Sequence, residues 1–251
     1  MGKIIILGSA AAIPSDGADN THLIILSIKH TILVDTASNP ILSLRKAGVD
    51  PNRVTDLILT HFHPDHVSGL PLLMITMWLT GRKESLNIYG LADTLGRARK
   101  MLDLFNISEW VNMFQIEYHP SKDGGFNNLF SDDEMNIIGA EVKHLIPTMG
   151  LRFEFKTSGK VVSYTCDSEP CSGVDKLAKG ADILLHESAG NSKGHSSAFQ
   201  AGEDAARASA RSLYLIHYPA GTDEQIMIND AKYSYSGEVV VARDRMAIEI
   251  D

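Results

Sequence analysis

Leu57-Ile-Leu-Thr-His61-Phe-His63-Pro-Asp65-His66-Val-Ser-Gly69 is the stretch from which the fold is read. The apolar run Leu57 to Leu59 has the length and character of a short buried strand. Four side chains able to hold a metal follow closely: His61, His63, Asp65 and His66. His61 and His63 are two apart, so in extended backbone they project to the same side. Pro64 fixes its own φ and steers His63 away from the helical region, so the strand should break before any helix begins. Asp65 and His66 then fall at a strand-to-helix turn, where neighbours can both reach inward. Two imidazoles from one geometry and a carboxylate plus imidazole from another suit two adjacent cations better than one. A polar turn with a few hydrogen-bonded histidines is the plainer reading, and the density of ligand types stands against it.

Upstream of this stretch, Lys3 to Leu7 reads as a first strand. The Gly/Ser/Ala run after it resembles a signal-peptide cleavage site, but Gly8 cuts the apolar segment short. Thr21–Ile28 and Thr31–Asp35 read as a hairpin around Lys29-His30. A helix is expected from Pro40 to Gly48. Downstream, Leu72 to Leu79 is an apolar helix, rich in Met and carrying Trp78, that is either buried or half turned to a partner. Leu86–Tyr89 is a strand and Ala92–Leu104 a helix, whose Arg97, Arg99 and Lys100 read as a solvated face.

Short strand candidates then crowd together: Phe114–Tyr118, Glu134–Ile138, Ala140–Leu145, Leu151–Phe155 and Lys160–Thr165. Ser121 to Asp133 reads as an irregular loop, and Pro147 to Gly150 as a turn. Ile183–Leu185 and Leu213–Ile216 are strands, and Ser197–Ala210 and Asp223–Tyr233 are helices. Val239–Ala242 and Ala247–Ile250 are expected to pair across Arg243-Asp244-Arg245. With no repeat, low-complexity tract or linker, residues 1–251 read as one α/β domain.

Net charge is −8, the opposite of the basic footprint of most nucleic-acid binders. Cys166 and Cys171 do not form a disulfide framework, which fits a reducing, cytoplasmic setting. No apolar run reaches the length of a membrane span.

Three more residues repeat one pattern, an apolar strand with a ligand-type residue at its C-terminal end and then a loop with Pro or Gly. They are His144 before Pro147-Thr-Met-Gly150, Asp167 before Ser168-Glu-Pro170, and His217 before Tyr218-Pro219. Sites in α/β sheets gather at such strand ends.

His61-x-His63-x-Asp65-His66, followed by His144, Asp167 and His217, resembles the dinuclear branch of the metallo-β-lactamase superfamily. The resemblance covers nearly the whole chain and implies a four-layer αββα sandwich with metals at one edge. It also implies that His61, His63 and His144 hold one cation, that Asp65, His66 and His217 hold a second, and that Asp167 bridges them. Zn²⁺ suits this nitrogen and oxygen set, with Mn²⁺ or Fe²⁺ as alternatives. His186-Glu187-Ser-Ala and Gly194-His195-Ser-Ser resemble the paired His-Glu-Ala-Thr and His-Ser-Thr motifs of the RNase Z group, the tRNA 3′-processing endonucleases. In that group the Glu and His form a pair beside the metals, and the proteins are homodimers. The expected chemistry is phosphodiester hydrolysis. Two cations roughly 3.5–4 Å apart share a water whose hydroxide attacks phosphorus. Asp65 orients it as base, and His195, oriented by Glu187, protonates the leaving alkoxide.

The chain departs from the group in two places. Strands Leu151–Phe155 and Lys160–Thr165 consume the span between His144 and Asp167 where an exosite arm would sit. Asp19-Asn20 stands where the group has an Arg-Asn pair. With the acidic charge, these favour a small or short phosphodiester over precursor tRNA. The alternatives are tRNA 3′ processing and a metal-holding scaffold without turnover, which leaves Glu187 and His195 unexplained.

Overall fold

The computed structural model describes residues 2–122 and 125–250. In chain order its elements are β1 (Gly2–Gly8), β2 (His22–Leu26), β3 (Thr31–Val34), α1 (Pro40–Lys46), β4 (Asp56–Leu59), α2 (Pro64–Val67), α3 (Leu70–Leu79), β5 (Leu86–Leu91) and α4 (Ala92–Asp103). There follow β6 (Ile116–Ser121), β7 (Phe126–Ser131), β8 (Met135–Val142), β9 (Thr148–Phe155), β10 (Val161–Tyr164), α5 (Ser172–Ala178), β11 (Ile183–Glu187), α6 (Ala198–Ala208), β12 (Ser212–Ile216), α7 (Glu224–Lys232), β13 (Glu238–Val241) and β14 (Ala247–Ile250).

Two mixed sheets form, in the orders β14-β1-β2-β3-β4-β5-β6 and β13-β12-β11-β10-β9-β8-β7. Each is antiparallel on one side and parallel on the other; β3 to β6 and β10 to β13 run parallel. Three apolar layers account for the stacking. Ile4, Ile6, Leu23 and Ile25 meet Leu151, Phe153 and Tyr164 between the sheets. Ile5, Leu7, Ile24 and Leu33 turn the other way, toward Leu44, Leu73, Met77 and Leu95. Leu184, Leu213 and Leu215 pack on the alanine face of α6. Strands covered on both faces need apolar residues at every position, hence unbroken runs such as Ile4-Ile-Ile-Leu7. Each such side chain, fully buried, contributes about 1.5–3 kcal/mol. This is the αββα sandwich expected from the motifs.

The terminal strands do not pair with each other. β13 joins β12 on the second sheet, and β14 joins β1 on the first. The linker reads as a hairpin, but Asp244 accepts hydrogen bonds from Ser9 Oγ and the Asp19 N–H, which draw the chain across to the first sheet. The two strands expected on either side of Gly139 are one, β8. Its glycine is a packing requirement, since a Cβ there would lie 2.5 Å from Met149 Sδ. The segment read as an irregular loop holds β7, a polar edge strand without apolar alternation; residues 123 and 124 lie outside the described part. The turn expected at Pro147–Gly150 ends at Pro147, because Thr148 already pairs with Val142 and opens β9. Helix α5 has no counterpart in the sequence reading; it is short, and its Cys171 N-cap makes no side-chain hydrogen bond. Among the described residues no helix is long and apolar enough to cross a membrane.

Candidate metal centre

The strand break foreseen at Pro64 is present. His63 is extended (φ −82°, ψ 149°) and caps α2, whose first residue is Pro64. His61 and His63 therefore leave β4 on one side, while Asp65 and His66 rise from the first helical turn. The ends of β8, β10 and β12 deliver His144, Asp167 and His217 to the same edge. Two groups of four result, His61, His63, His144 and Asp167, and Asp65, His66, Asp167 and His217, beside a smaller one of His61, His66 and Cys166, with ligand atoms in each within 4.8 Å of one another. Asp167 belongs to both groups of four.

Four of the five imidazoles are held in one tautomer. His66 Nδ1 donates to Asp35 Oδ2 at 2.8 Å, and His144 Nδ1 to the Gly194 carbonyl at 2.6 Å. His217 Nδ1 donates to Thr21 Oγ1 at 3.1 Å, a hydroxyl whose own proton goes to the Ala10 carbonyl. His61 Nδ1 lies 3.1 Å from Thr60 Oγ1, whose proton goes to Asp35 Oδ2. With Nδ1 occupied outward, each Nε2 points inward, the arrangement that orients metal-binding histidines. His63 instead offers Nδ1, 3.1 Å from both His61 Nε2 and His144 Nε2. Three ring nitrogens so close, at least two of them bare lone pairs, call for a cation between them.

Two buried atoms here have no hydrogen-bond partner, His66 Nε2 and Asp167 Oδ1. They face each other at 3.5 Å, too far for a good bond. Leaving such atoms unpaired costs about 1–3 kcal/mol each, which a bound cation would offset. Burial, reinforced by His66, holds the His61 pKa well below its ordinary value, so the ring is neutral and able to ligate. On His66 burial acts the same way, but Asp167 and then Asp35 outweigh it and raise its pKa well above the usual range. Burial would raise the Asp167 carboxyl; His217 and His66 overcome it and hold it well below the ordinary value, so it stays an anion. The nitrogen and carboxylate donors fit first-row divalent cations. Cys166 Sγ lies behind His61, 3.6 Å from Nδ1, and burial keeps its thiol protonated.

Backbone strain collects at the same edge: Asp35, Cys166 and His217 have φ of 62°, 55° and 54°. Such left-handed positions cost about 1–3 kcal/mol each for non-glycine residues and persist where surrounding contacts enforce them.

Glu187 ends β11, fully buried, and His195 lies in the turn before α6. His195 Nδ1 meets Glu187 Oε1 at 3.0 Å, and that hydrogen bond raises the histidine pKa. The Ser168 and Ala189 N–H groups also donate to Glu187. The His195 ring stands 4.9 Å from His144 and stacks on His217 at 5.9 Å between centroids. All residues singled out in the sequence therefore gather at one edge. Asp35, Thr60, Thr21 and Gly194 hold the rings, a role that the motifs did not assign to them. Asp35 ends an apolar strand as Asp167 does, so the same pattern could have found it; Thr21 and Gly194 carry no such signal.

The chain is similar to known proteins along nearly its whole length. A family model described as anti-Pycsar protein Apyc1 matches residues 2–236. A curated protein named ribonuclease Z from Methanothermobacter thermautotrophicus is 25% identical over 100% of this chain and 97% of its own length. The metallo-β-lactamase fold protein YhfI from Bacillus subtilis superposes with a TM-score of 0.84 at 22% identity, covering 99% of each chain. The short form of human tRNase Z superposes with a TM-score of 0.80 at 24% identity, again covering 99% of each.

Proposed function

The chain belongs to the family of the anti-Pycsar protein Apyc1 and is a metal-dependent hydrolase of metallo-β-lactamase fold; from that premise we propose a dinuclear phosphodiesterase acting on small or short phosphodiesters. His61, His63 and His144 would hold one cation and Asp65, His66 and His217 the other, with Asp167 beside both. Zinc is the proposed metal. The cations supply Lewis acidity toward the phosphoryl oxygen and lower the pKa of attacking water.

The remaining work falls to the chain. Asp65, less buried than the other carboxylate at the site, faces substrate and orients the attacking water, taking its proton. Asp35, Thr21 and the Gly194 carbonyl keep their histidines from rotating. Glu187 holds His195 protonated and aimed, and His195 gives its Nε2 proton to the departing alkoxide. The Glu187–His195 pair beside both clusters is the observation that carries the reading, because leaving-group protonation is what a scaffold would not need.

Small substrates are favoured by the absent arm, by β9 and β10 filling its place, and by the net charge of −8. The likeness to a ribonuclease Z along the full chain supports a second reading, tRNA 3′ processing. Cyclic mononucleotides, short oligonucleotides and precursor tRNA assayed side by side decide between them. Turnover of the small substrates with tRNA left intact is expected; a single salt-sensitive cut in tRNA alone would overturn the preference. A homodimer in a reducing, cytoplasmic setting completes the proposal. Leu72 and Leu79 on α3 are exposed, and both cysteines are unpaired. Sedimentation and metal analysis of the purified protein test dimer and zinc.

A further inference from the structure

Glu169 lies two residues beyond Asp167, outside both ligand groups, and its carboxylate is divided between two tasks. Oε1 accepts the Gly194 N–H at 2.9 Å, and Oε2 pairs with Lys143 Nζ at 2.6 Å. Its own N–H donates to the Lys143 carbonyl at 2.8 Å. Gly194 is thus gripped from two sides, since its carbonyl accepts from His144 Nδ1. The grip is tight: Gly194 has φ +86°, and a Cβ there would lie 2.9 Å from Leu145 Cγ and 3.0 Å from His144 Nδ1. The next residue is His195, whose N–H is tied to the Ser192 carbonyl at 3.0 Å. One step further, Ser196 Oγ donates to the Ser168 carbonyl at 2.6 Å.

These bonds join three segments that local sequence keeps apart, those bearing His144, Asp167 and His195. An exposed ion pair such as Lys143–Glu169 adds little stability. A charged acceptor on the N–H of Gly194, a buried residue in a part-buried bond, is a stronger tie. We propose that Glu169 is a positioning residue for proton donation: by holding the Gly194 amide it sets the distance of His195 from the leaving oxygen. This rests on the reading of His195 as donor. In the step concerned, the water oxygen bonds to phosphorus and yields its proton to Asp65. The phosphorus–alkoxide bond breaks, and the alkoxide takes the proton from His195 Nε2.

A donor out of line hurts substrates in proportion to their need for a proton. The test uses diaryl phosphodiesters running from p-nitrophenyl to phenyl leaving groups, with Glu169→Ala, Glu169→Gln and His195→Ala beside the parent enzyme. Misalignment should forfeit part of the ~10²–10⁴-fold worth of general acid catalysis. For Glu169→Ala we expect kcat for the phenyl ester to fall about tenfold or more, the p-nitrophenyl ester to fall less than about threefold, and bound metal to stay at the parent stoichiometry. In the metal-free protein, hydrogen exchange at the Gly194 amide should quicken. Glu169→Gln keeps an acceptor for Gly194 and should restore most of the phenyl rate. A parent-like leaving-group slope in Glu169→Ala, with a steep slope in His195→Ala, overturns the positioning role alone. Metal loss in Glu169→Ala also overturns it, because the residue would then serve the ligands. A flat slope in His195→Ala removes the donor itself, and the positioning role with it.

Discussion

The two ends of the sandwich use the same residue types to different effect. At the far end His30 Nδ1 meets Asp56 Oδ2 at 3.3 Å, and its Nε2 meets Asp132 Oδ2 at 2.9 Å. Asn87 Nδ2 reaches Asp56 Oδ1 at 3.2 Å, and His119 Nε2 reaches Asn87 Oδ1 at 3.0 Å. Asp132 Oδ1 takes the N–H groups of Glu134 and Met135. These histidines and carboxylates satisfy one another and tie the β2–β3 hairpin to the β7–β8 turn. At the other end four of the rings spend Nδ1 on outside partners and point Nε2 inward, with Asp167 Oδ1 and His66 Nε2 buried and unmatched. A His/Asp cluster becomes a cation site through what its hydrogen bonds leave over, not through its composition.

The sharpest way to break this contrast is to change the carboxylate shared by both groups. Asp167→Asn should empty both sites and lower turnover by roughly a thousandfold or more, the scale of losing metal-activated water; metal analysis after dialysis reads it directly. His195→Ala is next, with kcat down about 10²–10⁴-fold and metal content unchanged; loss of metal in this variant would contradict the donor role. Asp35→Asn leaves every ligand present but loosens His66, and cation affinity should fall about 10–100-fold in a calorimetric titration.

The smallest effect belongs to the far end. Burial works against the Asp132 carboxylate, but the His30 hydrogen bond and the Met135 and Glu134 N–H groups hold its pKa at about 2, below the ordinary 3.8. A depressed carboxylate stabilises the fold above the unfolded value, and that contribution is lost as pH falls from about 3.8 toward 2. Asp132→Asn should cost about 0.2–1 kcal/mol at neutral pH and flatten acid unfolding over that window. Metal binding should not change; weaker binding would mean the two ends are coupled.

Much of the site could be read ahead of the fold because its ligands obey short-range rules. Pro64 breaks a strand and starts a helix wherever that strand sits, and the ends of β8, β10 and β12 repeat one signature. What escaped notice had no local mark. β7 is a polar edge strand, so no apolar alternation announces it. β13 and β14 are separated by a hairpin-length linker, and contacts more than 200 positions apart, among them those of Asp244 with Ser9 and Asp19, send them to different sheets.

The sequence by itself determined which residue types would stand at the strand ends, and hence that an edge rich in imidazole and carboxylate would form. Only the tertiary structure decided which nitrogen of each ring faces inward. That choice depends on Asp35, Thr60, Thr21 and Gly194. Apart from Thr60, they are far in sequence from the groups they hold, and sheet pairing brings them there. Hydrogen bonding acts over about 3 Å, so spacing along the chain announces none of these pairings, even where the strand-end pattern marks a residue, as at Asp35.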